Sequence, residues 1–348
     1  MSKVLLTVLG LLATQSAFAN ADWMNHLALK GQVTLFTGPS PTAHAPFIDL
    51  ISTAQNSVLM EMFHLTDPQV ADALGGAASR GISVTVILDG GSLKSGEEKQ
   101  MSQSLQQKGV TPIASSPAFS ITHSKSMVVD HERAIVSSMN LTDHPEVRRD
   151  YGVEINDPDV IREMETVFNA DILNSQNQTG ETPQVSDPHL LWSPINSNEK
   201  LHDLISSATT SIVAVAENVL DTSIVQDLID AAARGVNVEV LSPACPLGGH
   251  PDGNYQTSLK LKAGGVSVRQ MPDPATPTTP YLHGKMMVVD NARAYVGSIN
   301  YSYNSMHRAR ELGIALEDRA VVKGLSDAFS ADYQNALEVG KALPNCAK

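Results

Sequence analysis

Eighteen residues beginning at His123, HSKSMVVDHERAIVSSMN, recur as HGKMMVVDNARAYVGSIN from His283. The echo extends upstream. DLISTAQNSVLMEMFHLTD from Asp49 matches DLISSATTSIVAVAENVLD from Asp203, and ALGGAASRGISVTVILD from Ala73 matches DLIDAAARGVNVEVLSP from Asp227. The upstream pairs lie 154 positions apart and the histidine pair 160, so a six-residue insertion sits in the second half. Self-similarity on this scale means two copies of one structural unit. Whatever one copy folds into, the other must fold into as well.

Each copy reads alike. A helix at about 44–55, and again at 198–208, leads into an apolar strand at 57–63 and at 211–217. Asp67 before Pro68 supplies an N-cap and an N1 proline, and Asp221 with Thr222 caps the second copy. Gly81 and Gly235 follow Arg80 and Arg234, where a left-handed helix stop is wanted. ISVTVIL and VNVEVL are β-branched strands. A short helix and strand come next, and then the repeated motif reads as a hairpin with HER or NAR at its turn. One more strand and a helix close each half. The alternation predicts an α/β fold: two duplicated α/β/α halves with mainly parallel mixed sheets, packed about a pseudo-twofold axis. The expected boundaries are 20–172 for the first half, 173–195 for a polar, turn-rich linker, and 196–348 for the second half.

Residues 1–19 stand apart. Lys3 precedes an apolar run from Val4 to Leu12, and Ala17-Phe18-Ala19 has the small-residue pattern of a cleavage site. That is a secretory signal peptide, too short for the ~20 apolar residues of a spanning helix. A protein exported to a bacterial periplasm or beyond, with no transmembrane segment in its mature form, is expected. An oxidising compartment permits a bridge between the only two cysteines, Cys245 and Cys346. The net charge of −13 repels nucleic acid and anionic lipid on average, and no basic stripe offsets it, so stable nucleic-acid binding is not expected.

The repeated residues carry chemistry that a packed strand does not need. His is the side chain best suited to act near neutral pH as nucleophile or general acid. Lys two positions later on a strand shares its face. Two such faces joined across a twofold would set His123, Lys125, His283 and Lys285 around one point, with Asn140 and Asn300 adding amide donors. That donor-rich, positive assembly suits a phosphoryl group. A metal centre fits poorly, because Lys is a poor ligand and no Cys or carboxylate stands at ligand spacing. No cofactor is implied. Ser138 and Ser298 lack the glycine-flanked elbow of a serine nucleophile.

His-x-Lys-x4-Asp followed by Ser-x-Asn, twice, resembles the signature of the phospholipase D superfamily, and the upstream repeat extends the resemblance over nearly all of the mature chain. The resemblance implies two halves sharing one site, a covalent phosphohistidine and no metal. It implies that His123 attacks phosphorus and His283 protonates the leaving alcohol, though the roles can be reversed. Lys125, Lys285, Asn140 and Asn300 would hold the phosphoryl oxygens, with Ser138 and Ser298 in support. Asp130 and Asp290 would stabilise the hairpins, and Asp150 and Glu311 would hold the histidines through their other ring nitrogen. Ser137 stands where the second copy has Gly297, and is expected to narrow the phosphate site slightly.

Weaker features remain. Arg148, Arg149, Arg308 and Arg310 follow the motifs and either line the mouth or pair with acids. His64 and Glu217 close the first strand of each half. The turn-rich stretches from Ser242 and Pro272 would roof the entrance. The expected activity is hydrolysis of phospholipid head groups, with transfer to an alcohol as an accompanying reaction. The expected partners are a phospholipid and water or an alcohol. A periplasmic nuclease and a cardiolipin synthase-like transferase are the alternatives. One chain supplies both half-sites, so a monomer suffices.

Overall fold

A computed structural model describes residues 21–94, 96–247 and 251–340. The expected signal peptide and Cys346 lie outside them. Cys245 is disulfide-bonded. The first half runs β1 (Val33–Thr37), α1 (Ala45–Thr53), β2 (Ser57–Met62), α2 (Pro68–Ser79), β3 (Ser83–Leu88), α3 (Gly96–Gln107), β4 (Thr111–Ala114), β5 (Lys125–Val129), β6 (Arg133–Ser137), β7 (Arg148–Arg149), β8 (Tyr151–Ile155) and α4 (Pro158–Asn177). The second runs β9 (Leu190–Ser193), α5 (Ser197–Ser206), β10 (Ser211–Val215), α6 (Thr222–Ala233), β11 (Asn237–Pro243), α7 (Pro251–Ala263), β12 (Ser267–Met271), β13 (Tyr281–Leu282), β14 (Lys285–Val289), β15 (Arg293–Gly297), α8 (Tyr303–His307), β16 (Glu311–Leu316), α9 (Arg319–Asn335) and β17 (Leu337–Glu338).

The two large sheets have one plan. Their orders are β1-β8-β6-β5-β2-β3-β4 and β9-β16-β15-β14-β10-β11-β12-β17. Strands separated by helices pair in parallel, β2 with β3 and β10 with β11, while the motif hairpins β5–β6 and β14–β15 are antiparallel. The sheets are therefore mixed, as the alternation of helices and hairpins dictates. The matching registers Val58↔Val129 and Ile212↔Val289 carry the sequence offsets into space.

Three apolar clusters follow. One packs α1 and α2 on the first sheet, another packs α5 and α6 on the second. A third joins the halves: Val136 and Val153 of the first sheet, Val296 and Ile314 of the second, and residues of α4 and α9. Asp67 and Asp221 cap α2 and α6 as the residue pattern requires, the first carboxylate accepting the Gln69 N–H and the second the N–H groups of Ser223 and Ile224. The stretch 173–195 begins within α4 and ends beyond β9, so its irregular part is short. Sequence reading missed β1 and β9, which lie at the edges of the sheets as antiparallel partners of β8 and β16. The apolar run of β9 is too brief to show a period.

Candidate active site

Two short parallel pairings pass between the halves and build the site. Tyr281 and Leu282 pair with Arg148 and Arg149, and an isolated bridge joins Thr122 to Arg310. The His123 N–H donates to the Arg310 carbonyl at 2.8 Å, and the Gly284 N–H to the Arg149 carbonyl at 2.7 Å. One residue further along each pairing, His123 meets Glu311 and His283 meets Asp150. His123 Nδ1 lies 2.8 Å from Glu311 Oε2, and His283 Nδ1 lies 2.8 Å from Asp150 Oδ1. Each histidine is thus held by an acid from the other half. A carboxylate only accepts, so Nδ1 carries the hydrogen and Nε2 is left for chemistry.

Both histidines line a single cleft of about 770 Å³, together with Asn140, Asn300, Phe63 and Glu217. The Asn300 Oδ1 accepts the Asn218 N–H at 3.0 Å, whereas the Asn140 Oδ1 is buried without a partner. Lys125 and Lys285 are fully buried and do not line the cleft. Lys125 Nζ donates to the His123 carbonyl at 2.6 Å, and Lys285 Nζ donates to the His283 carbonyl.

The electrostatics of the two half-sites differ. Lys285 has a carboxylate partner, Glu217, at 3.4 Å. Among the described residues no carboxylate pairs with Lys125, whose Nζ sits 4.9 Å from the centre of the Phe63 ring. Burial, then the charge of Lys285, pushes the Lys125 ammonium well below its ordinary range. Burial and Lys125 push His123 down to about 4, against the pull of Glu311. Burial pushes the Glu217 carboxyl up, but Lys285, His283 and the Tyr281 hydroxyl outweigh it and hold it at about 2. Burial likewise opposes ionisation of Asp150, and His283, Lys285 and Ser138 more than compensate, keeping it below the usual carboxylate range.

The supporting residues act on backbone and acids. The Ser138 hydroxyl donates to Asp150 Oδ1 at 2.6 Å and accepts the Tyr151 N–H at 3.0 Å. Ser298 bonds both backbone groups of Leu312, the residue after Glu311. Asp130 and Asp290 sit at the left-handed hairpin turns, with φ of 57° and 53°. Asp130 accepts the N–H groups of Gln55, Asn56 and Ser57, and Asp290 those of Thr209, Thr210 and Ser211. Neither reaches the cleft. Ser137 does not narrow it either: its hydroxyl accepts the Met139 N–H at 2.8 Å, and the side chain is fully buried.

Of the four arginines, Arg148 alone lines the cleft. Arg149 is bound by Asp332 of α9, with Nη2–Oδ1 at 2.7 Å, and Arg310 by Asp171 of α4, with Nη2–Oδ1 at 2.8 Å. Each pair ties one half to the closing helix of the other. Arg308 lies over the exposed Tyr303 ring. His64 lines the cleft, its Nδ1 2.8 Å from Glu98 Oε1 but without hydrogen-bond alignment. The loop from Ser242 contributes Leu247, although α7 begins sooner than its turn-rich sequence suggests; the stretch from Pro272 does not line the cleft. Sequence reading missed Phe63 and Tyr281. The 154-residue offset sets Phe63 opposite Glu217, a signal that was available. Among the described residues no group of three or more His, Cys, Asp or Glu side chains is placed to hold a metal ion.

Comparison with known proteins matches residues 47–172 and 201–333 to the family model described as cardiolipin synthase, PLD-like domain. The "Phospholipase D Y" of Dictyostelium discoideum is 28% identical over 178 residues, covering 46% of this chain and 40% of that protein. The human "5'-3' exonuclease PLD3" is 30% identical over 123 residues, covering 35% of this chain and 24% of that protein. The chain thus spans less than half the length of these relatives. In fold it is similar to the phosphatidylserine synthase of Haemophilus influenzae, with a TM-score of 0.69, 13% identity and 91% of both chains covered.

Proposed function

The chain belongs to the phospholipase D-like family, and from that premise we propose that it is an exported phosphodiesterase that releases head groups from phospholipids through a phosphohistidine. The observation that carries the reading is the exchange of acids: two histidines on one cleft, each with Nδ1 bonded to a carboxylate of the other half. That arrangement fixes both tautomers, supports the positive charge each ring gains in turn, and presents two Nε2 atoms to one substrate.

His123 Nε2 forms a bond to phosphorus as the bond from phosphorus to the leaving oxygen breaks. The leaving oxygen takes the proton from His283 Nε2. His283, now neutral, takes a proton from water or an alcohol, whose oxygen bonds to phosphorus while the nitrogen–phosphorus bond breaks. Asn140 and Asn300 donate to the phosphoryl oxygens. The ammonium form of Lys125, disfavoured by burial and by Lys285 and without a carboxylate beside it, is the form that a phosphoryl anion in the cleft favours.

A lipid is favoured over a nucleic acid by the wall of the cleft. Glu97, Glu98 and Asp143 stand there with Arg148, a balance that suits a head group bearing an ammonium and opposes a polyanion. The apolar Leu247 of the cleft wall and Tyr303 beside it are exposed, as a surface meeting lipid requires. No helix among the described residues is long and apolar enough to cross a membrane. The chain, incubated in EDTA with vesicles of phosphatidylcholine and phosphatidylethanolamine, is expected to release choline and ethanolamine and to leave plasmid DNA intact. DNA breakdown without head-group release replaces this reading with the nuclease, for which the exonuclease relative is the precedent. A phosphatidyl product carrying added glycerol and little phosphatidic acid replaces it with the transferase.

A further inference from the structure

Each half-site carries a histidine, a lysine, an asparagine and an acid from the other half. At one equivalent position the two differ in charge. Phe63 and Glu217 lie 154 residues apart, just past the equivalent strands β2 and β10. Phe63 sets its ring centre 4.7 Å from that of His123. Glu217 sets a carboxylate oxygen 3.8 Å from His283 Nε2 and 3.4 Å from Lys285 Nζ. Its other oxygen accepts the Tyr281 hydroxyl at 2.5 Å, and that hydroxyl accepts the Leu247 N–H at 2.6 Å. Glu217 is buried and fixed, not a side chain that has wandered in from solvent.

A displacement at phosphorus requires its two histidines in opposite states. The attacking ring must be neutral at Nε2 and the other must carry a proton there. Two identical half-sites do not choose between them. A carboxylate facing Nε2 stabilises the proton on that nitrogen, whereas the apolar Phe63 ring gives the first half no such support. The charges around His283 add up in the same sense. Asp150 and Glu217 face it against Lys285, while Arg148 and His123 lie elsewhere on the cleft wall. Glu217 also neutralises Lys285 and leaves Lys125 unmatched, so the phosphoryl charge is drawn toward the His123 side.

We infer that Glu217 is the positioning residue that makes the histidines unequal, holding His283 as proton donor to the leaving oxygen and leaving His123 as the nucleophile. The inference rests on the phosphodiesterase reading and adds to it the side chain that sets which histidine takes which part. Leaving oxygens that need a proton depend on Glu217; those that depart as stable anions depend on it less.

Methyl aryl phosphodiesters of 4-nitrophenol and of phenol separate the two cases. Glu217→Gln is expected to lower turnover of the phenyl ester about tenfold or more beyond its effect on the nitrophenyl ester, and Glu217→Asp is expected to restore part of the difference. Phosphate trapped by a denaturing quench should map to the peptide of His123. Equal losses on both esters, or label on His283, overturn the assignment and leave the phosphodiesterase reading standing. A wild-type chain that turns over neither ester and no phospholipid overturns both.

Discussion

The two halves share strand order, hairpins and motif, yet at their meeting point they offer different surroundings to the same side chain. His123 sits against an aromatic ring and an ammonium without a carboxylate; His283 sits between two carboxylates with an ammonium already paired. Duplication supplies two copies of a reactive group. It does not supply the inequality that acid–base chemistry needs. A difference at one position, ring against carboxylate, supplies it without disturbing either sheet. The exchanged acids teach the complementary lesson: neither half owns a complete histidine dyad, so the chemistry reports on the joint between them.

The acids give the largest expected effects. Asp150→Asn and Glu311→Gln should each lower kcat by about 10²–10⁴-fold, the range over which a disabled acid or base counts. Their signatures should cross the halves. Asp150→Asn lies in the first half but should act as an injury to His283, slowing phenyl esters more than nitrophenyl esters. Glu311→Gln lies in the second half but should slow formation of the phosphoenzyme from both. A loss that follows the half in which the residue lies breaks the scheme. The pH profile sharpens it. His123 must be neutral to attack, and burial with Lys125 holds it down to about 4, so kcat/KM should fall on acidification only near pH 4. Lys125→Met removes a positive neighbour, and the acid limb should then move to higher pH.

Next in size are the clamps beneath the site. Arg310 is fully buried against Asp171, with the Phe119 ring centre 4.5 Å from its guanidinium carbon. Arg310→Ala leaves Asp171 buried and unpaired and should lower unfolding stability by about 3–5 kcal/mol. Arg149→Ala, whose partner Asp332 sits under a side chain that keeps some exposure, should lose less. Urea unfolding of both variants measures the difference, and equal losses would show that the two clamps are interchangeable.

Much of this was legible in the sequence and some was not. The doubled His, Lys, Asp, Ser and Asn pattern named the cleft histidines and asparagines, and the capping aspartates placed α2 and α6. The hairpin role of Asp130 and Asp290 came from the family resemblance alone. The exchange of acids could not be read, because Asp150 follows His123 and Glu311 follows His283 in the chain while the bonds run the other way. Only the pairings of Thr122 with Arg310 and of Leu282 with Arg149 reveal it. The sequence does not decide whether Arg149 and Arg310 line the mouth or pair with acids, for the same reason: their acids lie on distant helices. Ser137 was misread because a strand residue before a tight turn points by the pleat, and the pleat turns it away from the cleft.

The Ser137–Gly297 pair offers a smaller test. A Cβ added at Gly297 would lie 2.4 Å from the Gly313 Cα and 2.6 Å from the Leu312 carbonyl oxygen. Both are backbone atoms within two residues of Glu311 on β16, so they cannot yield without moving the acid that holds His123. Gly297→Ser should therefore lower stability by about 1–3 kcal/mol and slow phosphoenzyme formation as well. Ser137→Gly removes only a hydroxyl bonded to a backbone N–H and should leave the rate of that step close to wild type. Losses of the same size in both variants would mean that the strand spacing is equal in the two halves.

The smallest effect concerns the turns, where the halves differ in degree. Asp290 accepts three backbone N–H groups and the hydroxyls of Thr209 and Thr210; Asp130 accepts three backbone N–H groups. Burial opposes the Asp290 charge, but these donors outweigh it and bring the carboxyl down to about 2; the same balance lowers Asp130. A carboxyl depressed in the folded state stabilises above its unfolded value and loses that contribution as pH falls through the folded one. The window is therefore pH 4 to 2. Asp290 is only half-buried, so solvent screening reduces its contribution to about 1 kcal/mol. Asp290→Asn should cost about that much at pH 7 and almost nothing at pH 2, and Asp130→Asn should follow the same curve with a lower plateau. If the Asp130 variant loses more than the Asp290 variant at pH 7, the threonine hydroxyls contribute nothing, and the turns are held by backbone geometry alone.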